Sequence, residues 1–329
     1  KVLLAGVAFF VLTCLAILLT QNIESFLALR FLQGVGLSMI SAVGYAAVQE
    51  SFEERDAIKV MALMANISLL APLLGPVVGA FMIDHVSWHW GFIGIAFLAF
   101  LSWFGLKAKM PATQQRHTKK PLRYIWDDYK TVYKNKTFLA LTFGLPMVAM
   151  PLMLWIALSP VILVEELGLS SMQYGLAQFP VLGGLILGNI VLIKVIDKMA
   201  LGKTVLIGLP LMFVGTLLVV LGTIFQSYFL PLLIVGMTLV SFGEGISFSV
   251  LYRFALMSSE VSKGTVAAAV SVLMMFTFFF VIELVRMAYV AFGLWAYSLV
   301  CLILIALWFS FPRATVKKVM KKRLERGVY

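Results

Sequence analysis

A few ionisable side chains lie inside long apolar stretches of this sequence, where they are best placed to do chemistry. Arg30 is the clearest case, because the apolar run Phe26–Gly36 around it belongs to a longer stretch that is otherwise suited to crossing a bilayer as a helix. An arginine there costs roughly 2.5–3.5 kcal/mol, so we expect it to face a protein interior or a watery cavity. Gln33, one turn away, and a carboxylate elsewhere are its candidate partners. Its role would be electrostatic, since arginine stays protonated up to about pH 12; a permanent salt bridge is the structural alternative.

Three glutamates are candidates for carrying a proton. Glu50 lies near the end of its span, where a carboxylate exposed to water is an equally simple interpretation. Glu244 lies between two glycines, so neighbouring backbone can come close or leave it open to a cavity; a neutral acid hydrogen-bonded between helices is the alternative. Glu283 precedes Arg286 by three residues, a spacing that favours a structural ion pair. Proton coupling is therefore assigned to Arg30, Glu50 and Glu244.

A further group of side chains could line a cavity that accepts lipophilic ligands. Apolar burial is non-directional and methionine adapts its shape, so an apolar wall with a few polar anchors can bind dissimilar compounds. The predicted ligand-contacting residues are Gln33, Tyr45, Asn66, Leu152, Met153, Trp155, Tyr174 and Gln178. Ordinary packing between helices is the alternative for these side chains.

The elements that must position these residues are membrane-spanning helices. Hydrophobic residues make up 62% of the chain, charged residues make up 12%, and the mean hydropathy is +1.01. A soluble domain has about a quarter of its residues charged. Apolar runs of about twenty residues, the length that a bilayer demands of a helix, are centred near Cys14, Met39, Leu70, Phe97, Trp155, Leu185, Val214, Val240, Met274 and Ile305. The sequence therefore predicts an all-α integral membrane protein with ten spans.

The net charge of +11 is distributed in a way that indicates membrane topology and not nucleic-acid binding. Basic residues cluster at 107–136, 194–203 and 313–326, while the connections near 22, 84–90, 165–171 and 226–228 contain no Lys or Arg. By the positive-inside rule, the basic connections are cytoplasmic. Both ends of this chain are then predicted to be cytoplasmic, in agreement with an even number of spans.

The polar connection after the fourth span divides the chain. Within it, aromatic and aliphatic side chains fall on one helical face, which is typical of a helix at the membrane surface; a flexible basic linker is the alternative. We predict a first bundle at 1–108, a linker at 109–136, a second bundle at 137–312 and a basic tail at 313–329. The lysines of the tail would fix the topology and bind anionic lipids.

Four spans before the linker and six after it are unequal for a protein built from two similar halves. The sequence thus predicts two further helices ahead of Lys1 in a longer protein. Cys14 and Cys301 lie far apart in apolar segments and are predicted to be free thiols. His85 and His89 neighbour tryptophans typical of a membrane interface, so we predict no metal and no cofactor.

Two stretches carry a resemblance to a known family. Arg30–Gly36 resembles the arginine motif in the fourth helix of the major facilitator superfamily drug/proton antiporters, and Ala71–Ala80 resembles the antiporter motif of their fifth helix. Shorter similarities occur at 155–160, 174–178 and 262–266. The resemblance implies the major facilitator fold, present here in part as ten of twelve helices in two bundles. It also implies substrate contacts at Leu152, Met153, Tyr174 and Gln178.

The fifth-helix motif also has a direct physical interpretation. Pro72 and Pro76 lack amide hydrogens and kink a helix, while Gly75 and Gly79 form a face that lets another helix approach closely. Together with Gly34 of the arginine motif, these residues are predicted to form a joint on which the bundles move. Static packing of a kinked helix is the alternative.

The resemblance implies a secondary transporter and not an enzyme. It would be a monomer in the bacterial inner membrane, in contact with membrane lipids, that exchanges small lipophilic or cationic drugs for protons by alternating access. Protonation of an acid in the cavity would change its interaction with Arg30 and with the drug, so that proton and drug favour different states. A membrane ligand sensor or structural subunit, and proton-coupled uptake of a nutrient, are the alternatives.

Overall fold

The computed structural model describes residues 2–72, 74–75, 78, 82, 86–109, 122–310 and 312–325. Its helices are α1 (Val2–Ile17), α2 (Ile23–Ser51), α3 (Glu54–Ser68), α4 (His89–Lys109), α5 (Leu122–Lys134), α6 (Lys136–Pro160), α7 (Ser171–Val195), α8 (Lys203–Ile224), α9 (Phe229–Leu256), α10 (Lys263–Phe292), α11 (Leu294–Ser310) and α12 (Pro312–Glu325). Val161–Glu166 continues α6 as a π-helical segment. No strand occurs within the described ranges, and the prediction of an all-α protein is confirmed.

The chain is a multi-pass membrane protein. Eight helical stretches within the described ranges are long and apolar enough to cross a membrane, and they contain α2, α4 and α6 to α11. The two other predicted spans are α1, an apolar helix of 16 residues, and the segment centred near Leu70. That segment begins with α3 and lies only partly within the described ranges, so the count of ten stays a prediction.

Helices α1 to α4 belong to the first bundle predicted from the sequence, and within it α1 is in close contact with α2 and α4. A Cβ atom on Gly36 of α2 would lie 3.1 Å from the backbone N of Phe10 and 3.2 Å from the carbonyl O of Gly6, both in α1. The indole Nε1 of Trp103 in α4 donates to the carbonyl O of Leu4 at 3.2 Å. Small residues allow this close helix crossing, and the helix that carries the arginine motif is thereby fixed directly against α1.

Helices α6 to α11 belong to the second predicted bundle, and α9 lies between α7 and α8. A Cβ atom on Gly243 of α9 would lie 2.6 Å from the carbonyl O of Gly208 in α8. On the other side, a Cβ atom on Gly245 would lie 2.6 Å from the carbonyl O of Leu185 in α7. These distances leave no room for a side chain, so glycine is needed on both sides of Glu244.

The linker helix α5 packs one face against the bundles. Val132 is fully buried, Tyr129 and Tyr133 are half-buried, and Trp126 is exposed. Directly after the helix, Asn135 caps α6 by accepting hydrogen bonds from the backbone N–H groups of Thr137 and Phe138, at 2.9 and 3.1 Å. The predicted amphipathic helix is therefore present; its position at a membrane surface stays a prediction.

The basic connections meet at one end of the bundles, which we call the basic side. It comprises the turns 196–202 and 257–262, the start of α6, and α12. The side chain of Asn135 donates to the carbonyl O of Ser258 at 2.7 Å. Met320 of α12 packs on Gly202, where a Cβ atom would lie 2.8 Å from the Met320 Sδ. Gly202 has a φ of 95°, which favours glycine. Because glycine has no side chain, α12 can lie close to this turn.

Candidate functional site

Arg30 lies in a hydrogen-bonded chain that joins α2 to α1. Its Nη1 donates to the Gln33 Oε1 at 2.8 Å, and the Gln33 Nε2 lies 2.8 Å from the Sγ of Cys14 in α1. Gln33 is buried, while the Arg30 side chain is exposed. The predicted partnership of Arg30 and Gln33 is therefore present, and it connects the guanidinium to a fully buried thiol of the neighbouring helix.

Two aromatic rings flank the guanidinium. The Arg30 Cζ lies 5.5 Å from the centroid of Phe26 in α2 and 4.9 Å from that of Phe92 in α4. The two rings meet edge to face, with centroids 6.2 Å apart. Cation–π contacts of this kind contribute about 0.5–1 kcal/mol at exposed sites. Among the described residues, no carboxylate lies within ion-pair distance of Arg30.

The three predicted glutamates have different surroundings. Glu50 is exposed at the end of α2. Glu244 is only 6% exposed, and within the described part of the chain its Oε2 has no hydrogen-bond partner. Glu283 and Arg286 form the expected ion pair, with 2.5 Å between the Oε1 and the Nη2, and both side chains are exposed. Glu244 is thus the buried carboxyl group, and an ion there would be costly to bury without a partner.

Several predicted ligand-contacting residues form a buried network within the second bundle. The Trp155 Nε1 donates to the Gln178 Oε1 at 2.7 Å, and the Gln178 Nε2 donates to the Ser159 Oγ at 3.3 Å. Trp155 and Gln178 are buried, as is Leu152, whereas Met153 and Tyr174 are half-buried. In this conformation, Met153 and Tyr174 are the two of these five side chains with surface accessible to a ligand.

Two other predicted ligand-contacting residues lie at the boundary between the bundles. Asn66 of α3 accepts a hydrogen bond from the Asn189 Nδ2 of α7, at 2.7 Å. Tyr45 of α2 packs against Tyr252 of α9, with ring centroids 4.9 Å apart. Each side chain therefore contacts the opposite bundle.

Charged residues on the basic side also connect the two bundles. The Lys59 Nζ of α3 lies 2.6 Å from the Asp197 Oδ2 in the turn after α7. Arg55 donates to the backbone carbonyl groups of Ile196 and Met199 in the same turn. This turn is thereby held against the start of α3.

A second charged contact joins α3 to the end of α9. The Arg253 Nε lies 3.8 Å from the Glu54 Oε1, and the Arg253 Nη1 donates to the carbonyl O of Gln49 at 3.4 Å. Both side chains are largely withdrawn from water, with 7% of Arg253 and 21% of Glu54 exposed. The bundles are therefore closed against each other on the basic side.

The charged residues of this closure are not among the predicted site residues. Arg253 offered little signal, because it lies in the last turn of α9, where a basic residue is favoured by the helix dipole. Lys59 and Asp197 offered none, since charges at helix ends are common. Their importance comes from a pairing between residues far apart in the chain.

The predicted conformational motif is described only in part. Pro72 is half-buried, while Pro76 and Gly79 lie outside the described residues. At Gly34 and Gly75, a Cβ atom would meet nothing within 4 Å among the described atoms. The close helix approach predicted at Gly75 and Gly79 therefore stays a prediction. Close glycine contacts occur at the α1–α2, α7–α9 and α8–α9 crossings.

A comparison with protein families decides the class of the protein. The family model described as Major Facilitator Superfamily matches residues 1–282. The chain belongs to the major facilitator superfamily. The predicted family and fold are confirmed, and so is the prediction of a transporter rather than an enzyme.

Two relatives within the superfamily match most of the chain. It is 67% identical to the chloramphenicol resistance protein CraA of Acinetobacter baumannii (strain ATCC 19606) over 329 residues, which is all of this chain and 80% of that protein. It is 44% identical to the multidrug transporter MdfA of Yersinia pestis bv. Antiqua (strain Angola) over 289 residues, which is 88% of this chain and 71% of that protein.

The fold of a solved superfamily member is also similar. The crystal structure of the transporter FucP in the outward conformation matches with a TM-score of 0.71, covering 95% of this chain and 82% of that one. The sequence identity is 13%, so this similarity concerns the architecture alone.

Proposed function

We propose that this protein exports small lipophilic or cationic drugs in exchange for protons, by alternating access across the bacterial inner membrane. The observation that carries the proposal is the 67% identity, over the whole chain, to a protein named for chloramphenicol resistance. The positive-inside rule supports a cytoplasmic location for the basic side, with both ends of this chain there. We further propose that the protein acts as a monomer surrounded by membrane lipids.

In this proposal, Arg30 provides the electrostatic part of proton coupling. Gln33 and the two phenylalanine rings hold the guanidinium, so its positive charge acts from a fixed place. A positive charge nearby favours the ionised form of an acid, and it loses that attraction when the acid takes up a proton. Glu50 and Glu244 are the proposed proton carriers of this chain, the first reached from water and the second buried. Neither lies within ion-pair distance of Arg30, so the acid on which Arg30 acts directly would come from elsewhere in the protein.

The conformational part of the mechanism is the separation of the bundles on the basic side. The contacts of Arg55, Lys59 and Arg253 favour the closed state by holding α3 against the second bundle. Opening must replace them by contacts with water, so a ligand drives opening only if it binds the open state better. The helix bending that accompanies opening would occur at the predicted joint, which consists of Gly34, Pro72, Gly75, Pro76 and Gly79.

The proposed drug contacts divide into two groups. Met153 and Tyr174 have accessible surface and would touch the drug directly, whereas Leu152 is buried and would contact it only after a rearrangement. Trp155 and Gln178 are hydrogen-bonded to each other, so they would fix the wall or become exposed in another state. Tyr45, Asn66 and Gln33 would face the drug from the first bundle when the basic side opens.

The proposal is tested with the full chain reconstituted into vesicles that are acidic inside. Uptake of radiolabelled chloramphenicol should exceed that of vesicles without protein, and a protonophore should abolish the excess. Arg30→Gln should remove the gradient-driven uptake, while Arg286→Gln, a matched change in the exposed pair on α10, should leave it within about twofold. Binding of chloramphenicol without gradient-dependent uptake would overturn the proposal in favour of a ligand sensor.

A further inference from the structure

A cavity of about 690 Å³ lies on the basic side, where α3, α6, α9 and α12 meet. Its volume is within the range of about 300–1,000 Å³ that is usual for small-molecule sites. Its wall contains two carboxylates, Glu54 and Glu260, and three cations, Arg253, Lys318 and Lys322. The cavity is separate from Arg30 and from every predicted drug contact.

Both bundles contribute to this wall. Glu54 belongs to α3 of the first bundle, whereas the other charged residues belong to the second bundle or to α12. The pair of Glu54 and Arg253, 3.8 Å apart, is one of the contacts that close the basic side. The first bundle therefore contributes to the cavity only while the bundles are closed there.

The chemistry of the wall selects an amphiphile with one anionic group. Lys318 and Lys322 are four residues apart on α12 and so lie on one face. Glu54 offsets the charge of Arg253, and Glu260 offsets the charge of one of the two lysines. One positive charge therefore remains in the cavity wall. Apolar side chains, including Met257, complete the wall and would receive a short hydrocarbon segment. A phosphate ester meets lysine ammonium groups well, and a polyanion would be repelled by the two carboxylates.

The helix α12 forms one wall of the cavity and contacts the turn 196–202, which takes part in closing the basic side. Val316 is fully buried, and Met320 packs on Gly202 in the turn that carries Asp197. Asp197 in turn pairs with Lys59 of the first bundle at 2.6 Å. A ligand that moves α12 would therefore act on the turn that carries one of the charged contacts between the bundles.

We propose that this cavity binds a phosphate-bearing amphiphile and that binding weakens the closure of the bundles on the basic side. The only first-bundle residue in the wall is Glu54, whose carboxylate repels the phosphate and competes with it for Arg253, so bound ligand must shift the equilibrium away from the closed state. The phosphate ester can come from a phospholipid headgroup of the adjoining leaflet or from a soluble metabolite of the same chemistry. The inference does not depend on which compound the protein transports.

Binding is tested with the full chain in detergent and with dihexanoyl phosphatidylglycerol as the probe. Replacing Lys318 and Lys322 together by Ala should weaken binding about thirtyfold, from about 1 kcal/mol for each lysine. Replacing Lys317 and Lys321 by Ala removes the same charge from exposed positions of α12 outside the cavity wall, and should leave the affinity within about twofold. Equal losses in both variants would overturn the site, because they would indicate general attraction to a basic helix.

The effect on conformation is measured with spin labels at Ser51→Cys and Lys198→Cys, exposed positions of opposite bundles on the basic side. Saturating probe should decrease the short-distance population, and the Lys318/Lys322 variant should not respond. An unchanged distance distribution with bound probe would overturn the conformational part. Glycerophosphoglycerol, a phosphodiester with one negative charge and no acyl chain, tests the soluble source, and vesicles with or without phosphatidylglycerol test the lipid source; a response to neither would overturn the proposal. The circular dichroism of each variant checks that it is folded.

Discussion

Asn66 and Asn189 share a hydrogen bond of 2.7 Å that crosses the boundary between the two bundles. Asn66 lies twelve residues after the start of α3, about 18 Å along the helix axis at 1.5 Å per residue. The charged contacts of Arg55 and Lys59, in contrast, lie in the first turns of the same helix. The closure on the basic side therefore has a charged outer layer and an amide pair deeper in the membrane.

The first prediction concerns this amide pair. Replacing Asn189 by Leu should lower the ratio of closed to open protein about threefold, because hydrogen bonds between membrane helices contribute about 0.6 kcal/mol on average. The distance between spin labels at Ser51→Cys and Lys198→Cys measures this ratio. The double replacement of Asn66 and Asn189 by Leu should be no worse than the single one, and additive losses would contradict a direct bond.

The second prediction concerns the ion pair of Lys59 and Asp197. Asp197→Lys should reduce the closed population by about twofold to fivefold, since partly exposed ion pairs contribute about 0.2–1 kcal/mol and like charges repel. Combining it with Lys59→Asp should restore the population. Asp127→Lys is the control, because Asp127 pairs at 3.6 Å with Lys130 inside α5 and not across the bundles. If the double variant does not recover the closed population of the parent protein, the ion pair does not stabilise the closed state.

The third prediction compares two adjacent glycines of α7. A Cβ atom on Gly184 would lie 2.6 Å from the carbonyl O of Thr238 in α9, while one on Gly183 would meet nothing described within 4 Å. Gly184→Ala should therefore destabilise the protein by about 1–3 kcal/mol through overpacking. Gly183→Ala should be neutral or slightly stabilising, because alanine favours the helix. Thermal unfolding in one detergent measures both, and equal effects would show that the α7–α9 contact is looser than described.

The fourth prediction concerns the buried indole of Trp155. Gln178→Leu removes the acceptor of its Nε1 and should cost about 1–3 kcal/mol of stability, the usual penalty for an unpaired buried donor. Adding Trp155→Phe removes the donor as well and should recover part of the loss. Chemical denaturation measures the free energy of unfolding of Gln178→Leu, of Trp155→Phe and of the double variant. If the double variant is as unstable as the sum of the single ones, the hydrogen bond is not the cause.

Contacts within one helix could be predicted from the sequence. Gln33 was expected beside Arg30, and Arg286 beside Glu283, because residues three apart share a helix face. Apolar runs of about twenty residues likewise predicted membrane helices, since a bilayer fixes the length of a span. Both inferences use only local geometry, and the described helices agree with them.

Contacts between helices could not be predicted in this way. Arg253 donates to the carbonyl O of Gln49, 204 residues away in sequence, and no local pattern indicates such a pairing. The glycine contacts of α9 depend equally on how α7 and α8 are arranged around it. A repeat of small residues shows that a helix can approach another one closely, but it does not specify the partner.

The depth of the Asn66–Asn189 bond also has a consequence for solvent. When the bundles part, each amide loses its partner, and an amide left without one in hydrocarbon is costly. Opening must therefore hydrate the boundary to about 18 Å along α3 from its first residue. The transition therefore takes up water molecules along this boundary. Because water uptake is disfavoured at high osmotic strength, the osmotic strength of the surrounding solution acts on the rate of exchange.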